Sequence, residues 1–249
     1  MNNFTFDKKE QQAVLWLALA YTILLIFWQL FGKEINAAII VNHAIFFFAA
    51  MLVAIFLHEV GHKIAAEHLG YHARVTLFTK GIIGSIIVAF YTFARVPIIT
   101  GNLLSLDADP RRRLHRRRKY DNPTQQGIIA VGGVMGSIIA ILLFRALAEL
   151  TGYNLFLTAQ FGASLHAIFS LVPFELLAII KLRYSKTLNE ITPSDGLYLL
   201  RASFPAWLFV FSFTLFFSVL ANSQITSIFL LATLLAAAAI GLYTYVIKD

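Results

Sequence analysis

The sequence predicts an all-α polytopic membrane protein of about six transmembrane helices, with a small re-entrant β-like insert between the second and third. Three observations carry this expectation. The 249 residues are 59% hydrophobic and only 13% charged, about half the charged share of a soluble domain. The apolar residues gather in runs of about 20, the length at which a helix crosses the hydrocarbon core of a bilayer. The cations concentrate in the connections between those runs, as the positive-inside rule requires. The same clustering argues that the net charge of +7 reflects membrane topology and not a nucleic-acid face. With no cysteine in the chain, disulfides and thiolate ligands are excluded, so any metal must be held by His, Asp, Glu or water.

The first span is read over Gln12–Phe31. Lys8 and Lys9 before it and Ala18-Leu19-Ala20 within it imitate a signal peptide. The apolar run is too long for a signal core and the small-residue triplet lies in its middle, so an uncleaved span is expected. The second span covers Ala37–Leu57 and continues as helix through His58-Glu59-Val60-Gly61-His62. H-E-x-x-H on a helix sets two imidazoles one turn apart on one face, where both can ligate one Zn²⁺. Glu59, about 100° around the helix, is placed to act as general base toward the attacking water. The setting sharpens the motif: Ile39–Leu57 is interrupted only by Asn42 and His43, and ionisable groups at membrane depth are costly and usually functional. His43 lies about 22 Å along the axis from His58, too far for the same metal, and is expected to form a buried polar pair with Asn42.

The segment Arg74–Thr100 is β-branched and punctuated by Gly81 and Gly84. It is read as a strand pair or re-entrant hairpin, with a seventh full helix as the alternative. The run Arg111–Lys119 is expected to set topology and to attract anionic headgroups. A third span over Gln126–Leu147 carries Gly132-Gly133 and Gly136, a small-residue pattern that permits close helix packing. A fourth covers Leu155 to about Ile180, and its His166 is expected to bond a neighbouring helix or to orient a ligand or water. A fifth runs from Gly196 to Leu220 and a sixth from Ile225 to Ile247. With the N-terminus in the cytoplasm, Lys8, Lys9, Lys63, Arg74, Lys80, Arg95, Arg111–Lys119, Lys181, Arg183, Lys186, Arg201 and Lys248 share the cytoplasmic side. Only Lys33 and Arg145 fall opposite. The H-E-x-x-H turn then lies toward the cytoplasmic end of the second span.

Two histidines leave a zinc site one protein ligand short. Glu67 is poorly placed five residues past His62, Asp107 and Asp109 have the arginine run as ion-pair partners, and Glu190 sits in a polar loop. Asp195, in Pro193-Ser194-Asp195-Gly196, has the better context for a ligand, but Asp is equally at home as the N-cap of the fifth span. Glu175 remains an alternative.

These motifs together resemble the site-2 protease family of intramembrane zinc metalloproteases. The resemblance runs through His58–His62, His68-Leu69-Gly70-Tyr71, Gly132–Gly136, Phe169–Pro173 and Asp195-Gly196, and covers roughly residues 38–205. It implies one Zn²⁺ per chain held by His58, His62 and Asp195, with Glu59 as catalytic base. It also implies transmembrane protein substrates cut near the cytoplasmic face, in regulated intramembrane proteolysis. Ser170 stands where the family has Asn, Ser194 where it has Leu, and the interval from Pro173 to Asp195 is longer than usual. Gly81, Gly84, Ser170 and Pro173 are the expected substrate-contacting positions, the glycines by offering an edge to which a substrate strand adds. Residues 1–249 are expected to form a single integral-membrane domain. A divalent-metal transporter or an inactive membrane scaffold are the competing functional classes. The compact H-E-x-x-H argues against transport and the intact Glu59 against a scaffold.

Overall fold

The computed structural model describes residues 6–30, 36–92, 102–108, 122–173, 194–223 and 234–235. Helix α1 (Lys8–Leu30) leads to α2 (Ala37–Leu69), which is followed by strand β1 (Tyr71–Leu77), helix α3 (Thr79–Tyr91) and strand β2 (Asn102–Ala108). Then come α4 (Pro123–Thr151), α5 (Leu155–Ser170), the short α6 (Asp195–Ala202) and α7 (Phe204–Asn222). Four of these helices, α1, α2, α4 and α7, are long and apolar enough to cross a membrane, and α5 is a shorter apolar helix of 16 residues. The expected sixth span, Ile225–Ile247, lies outside the described residues apart from Leu234 and Leu235, as do the arginine run Arg111–Lys119, Asp109, Glu175 and Glu190.

The helix ends are written in the sequence. Asn36 caps α2, its side chain accepting from the Ala38 N–H at 3.0 Å, and Gly70 closes the helix in the left-handed conformation (φ 75°) that only glycine adopts without cost. Helix α4 repeats the pattern, with Asn122 as cap, Pro123 in the first turn and Gly152 (φ 67°) at its end. With 33 residues, α2 is about 50 Å long. The H-E-x-x-H turn therefore falls roughly 33 Å from its Ala37 end.

Helix α2 is the centre of the molecule. Phe47, Met51, Ala54 and Ile55 face Leu17, Tyr21, Leu24 and Leu25 of α1 and Ile129, Val134, Ile138 and Ile141 of α4 in one continuous core. Its other side carries Val41, Ile45, Val53 and Phe56, all exposed and suited to lipid. The glycines of α4 let it press against the motif turn. A methyl group at Gly132 would run into Gly61, and one at Gly136 into the backbone of Leu57 and His58.

Three sequence expectations are corrected here. The strand pair exists, but β1 pairs with β2 in antiparallel register, Tyr71 with Ala108 through Leu77 with Asn102. The glycine-punctuated stretch between them is helical. Gly81 and Gly84 lie in α3, whose Ile82, Ser85 and Ala89 turn inward while Ile83, Ile87, Phe90 and Tyr91 are exposed. In lipid a helix satisfies its backbone by itself, and that requirement outweighs the modest strand preference of Ile and Val. At 13 residues α3 is too short to be the alternative seventh span. The fifth span is likewise interrupted. Ser203, in extended conformation, separates α6 from α7 and caps the latter, with Pro205 in its first turn. His43 is not paired with Asn42 but donates Nδ1–H to the Ile39 carbonyl at 2.7 Å, at an exposed position.

An ion pair fixes the motif-bearing end of α2 to its neighbours. Lys63 bonds Glu10 at 2.9 Å, and both are buried. Lys63 also reaches the Ala73 carbonyl (3.4 Å), and Glu10 accepts from the Val75 N–H (3.3 Å), so the pair occupies the outer edge of β1. The carboxylates of Glu10 and Asp7 each accept the other's backbone N–H across the start of α1, and the Lys63 ammonium lies 4.5 Å from the Phe6 ring centre. Arg145 plays a related part at the far end. It pairs with Glu149 (2.6 Å) and donates to the Ala221 and Ser223 carbonyls, where a cation complements the C-terminus of α7.

Candidate metal centre

His58 and His62 project from one face of α2, as a four-residue spacing requires, and α6 brings Asp195 onto them. His58 Nε2 lies 3.1 Å from Asp195 Oδ2, His62 Nε2 lies 3.2 Å from Asp195 Oδ1, and the two Nε2 atoms are 3.0 Å apart. One ligand atom from each of the three falls within 4.8 Å of the others, the grouping among the described residues that could hold a metal ion. Glu59 sits on the same turn, and all four residues are at most 4% exposed.

The other ring nitrogens fix the imidazoles. His62 Nδ1 is 2.9 Å from the Ile129 carbonyl. A carbonyl only accepts, so Nδ1 carries the proton and the Nε2 of neutral His62 presents a bare lone pair. His58 Nδ1 is paired with the Ser137 hydroxyl at 2.8 Å. Both partners come from α4. This is the arrangement that orients metal-ligating histidines, and the donor set itself calls for a cation. A lone pair on His62 Nε2 facing a second ring nitrogen and a carboxylate is repulsive unless positive charge lies between them, and buried Asp195 Oδ2 has no satisfying hydrogen bond among the described residues. Two imidazoles and one carboxylate form a donor set that suits zinc.

The local sequence explains how three elements meet here. The N-cap of α6 is Ser194, whose hydroxyl accepts from the Leu197 N–H (3.4 Å). The cap is therefore Ser194 and not Asp195, which lies in the first turn and faces the histidines. Gly196 is required by contact: a methyl group there would collide with the Leu171 carbonyl and crowd Pro173. Gly133 plays the same part on α4, where a methyl group would occupy the space of the His62 ring. Of the expected substrate-contacting residues, Pro173 lies just past α5 beside Gly196, and Ser170 ends α5, its hydroxyl donating to the Ala167 carbonyl (3.1 Å). Gly81 and Gly84 lie in α3 and offer no strand edge. Glu67 is not among the grouped ligands, and Asp107 pairs with Arg74 across the sheet (4.0 Å) in the open.

Sequence reasoning did not single out Ser137, the Ile129 carbonyl, Tyr21 or Tyr198. Ser137 follows Gly133 by four residues and Gly136 by one, so its place on the glycine face was available as a signal. Tyr198, three residues after Asp195, donates its hydroxyl to the Leu104 carbonyl of β2 at 3.1 Å and ties the sheet to the ligand helix. His166 forms the expected interhelical bond, its Nδ1 being 3.1 Å from the Tyr21 hydroxyl. Its ring also meets that of His58, with centroids 4.6 Å apart.

Compared with known proteins, the chain matches the family model described as Peptidase family M50 over residues 46–236, more than half its length. No curated protein and no solved structure gives a significant match.

Proposed function

The chain belongs to peptidase family M50, the site-2 protease family of membrane metallopeptidases, and on that premise we propose that it is a zinc endopeptidase cutting membrane-spanning proteins near the cytoplasmic side of the bilayer. The observation that carries the reading is the convergence of His58, His62 and Asp195 within 4.8 Å, with Glu59 buried on the same turn. Zn²⁺ held by these three side chains would polarise the scissile carbonyl and make water a competent nucleophile at neutral pH. Glu59 takes the proton from the attacking water and returns it to the departing amine. Ser137 and the Ile129 carbonyl keep the two imidazoles in the ligating orientation.

A helical peptide bond is shielded, so the substrate must be presented unwound. Of the two strands, β2 is the one suited to receive it. The outer edge of β1 is taken by Glu10 and Lys63, whereas β2 is joined through Leu104 to Tyr198 and so to the ligand helix. An added strand would gain main-chain hydrogen bonds there while its scissile bond lay toward Asp195. Cytoplasmic termini, and docking of the basic run on anionic headgroups, follow from the charge asymmetry of the sequence.

The test is cleavage of a single-span protein by the reconstituted enzyme. Wild type cuts it, and Glu59→Gln, which removes the base and keeps the shape, reduces turnover by at least about 10²-fold, the lower range for a lost general base. Equal turnover by the two would sink the assignment of Glu59.

A further inference from the structure

One buried nitrogen beside the metal centre has no part in the reaction described above. His166 Nε2 is buried and meets no hydrogen-bond partner among the described residues. Its ring lies edge-on to that of His58, at 4.6 Å between centroids and 64° between planes, and His58 is one of the three grouped side chains. Yet His166 is not one of the residues whose atoms close on a single ion. It borders the site without belonging to the ligand set.

Its proton can be placed. Tyr21 is buried, and its hydroxyl meets His166 Nδ1 at 3.1 Å and no other group among the described residues. A phenol proton left without an acceptor in an apolar interior is costly, so Tyr21 donates and Nδ1 accepts. In neutral His166 the remaining proton is then on Nε2, which makes that nitrogen a donor with no acceptor among the described residues.

We propose that His166 donates its Nε2–H to the scissile carbonyl oxygen as that oxygen gains negative charge, and that Tyr21 holds His166 in the tautomer that can do so. The proposal rests on the proteolytic reading. A donor held beside a developing oxyanion contributes through the transition state and little through the ground state. His166 is then a catalytic residue and Tyr21 a positioning residue.

The experiment measures kcat, KM, bound zinc and affinity for a zinc-directed phosphinic peptide, whose anionic oxygens imitate the tetrahedral state. His166→Leu is expected to lower kcat by about 10²–10³-fold. KM should change little, phosphinic-peptide affinity should fall with kcat, and zinc content should stay that of wild type. His166→Gln keeps an N–H donor at similar reach and is expected to recover about tenfold or more of the loss, while Tyr21→Phe falls between wild type and His166→Leu. If His166→Leu fails to accumulate in the membrane, the glutamine and Tyr21→Phe variants carry the same comparison. Zinc lost in step with activity, or kcat unaffected with zinc intact, would overturn the proposal. A wild type that holds no zinc or cleaves nothing would instead overturn the proteolytic reading.

Discussion

At the scale of single residues, the centre depends on groups that hold the ligands as much as on the ligands. Ser137→Ala removes the partner of His58 Nδ1 (2.8 Å) and is expected to weaken zinc binding by about 10–100-fold, as loss of a ligand-orienting hydrogen bond commonly does. Titration against a competing chelator measures this. Unchanged affinity would mean that packing against α4 alone orients the ring. Gly133→Ala is expected to be more severe, because its methyl group would take the place of the His62 imidazole. Loss of zinc without loss of the folded protein is the expected signature, and an alanine variant that kept full zinc affinity would show the contact to be easily relieved. That His58, Glu59 and His62 would share one helical turn was legible from their spacing alone. Asp195 was only half legible, because an aspartate before a helix caps it as readily as it binds a metal. The deciding fact, Ser194 taking the cap, depends on where α6 starts, and propensity does not fix a helix start to one residue.

At the scale of elements, the long helices were legible because unbroken apolar runs have few alternatives in a membrane, and their Asn and Gly ends are local signals. Helix α3 was misread. Its residues favour strands in water, and the pull toward helix comes from the surroundings, which sequence periodicity over 13 residues conveys weakly. The buried pair Glu10–Lys63 was missed for a related reason: its partners are 53 positions apart and meet only once α1 lies against α2. Lys63→Met leaves the Glu10 carboxylate buried without its cation. It is expected to cost about 3–5 kcal/mol, the usual penalty for breaking rather than replacing a buried pair. Thermal unfolding in detergent reads the loss, and recovery in a Glu10→Leu, Lys63→Met double variant would identify the unpaired charge as its cause. The sheet makes a second expectation. Residues alternate in a strand, and Val75, opposite Leu104, directs its N–H away from the ladder to Glu10, so Leu104 and Leu106 direct theirs to the outer edge of β2. Leu106→Pro removes an outward donor and spares the ladder. If substrate adds to β2, cleavage falls while zinc binding persists; unaffected cleavage would place the substrate elsewhere.

At the scale of the whole molecule, the fold serves to bring a carboxylate from a short helix near residue 195 to histidines near residue 60, through α4, whose glycine face touches both the motif turn and its ligand-orienting contacts. Hydropathy established a polytopic membrane protein, and two short motifs pointed to its centre. The long-range contacts that complete the centre, Ser137 with His58 and His166 with Tyr21, join residues 79 and 145 positions apart, and no local pattern encodes such distances. The central claim is that His58, His62 and Asp195 together hold one Zn²⁺. The most direct measurement is zinc bound per chain after purification, followed by chelator titration, for wild type, Glu59→Gln and Asp195→Ala. The account predicts one zinc per chain in wild type and Glu59→Gln and its loss from Asp195→Ala; an Asp195→Ala protein that held zinc as tightly as wild type would contradict it.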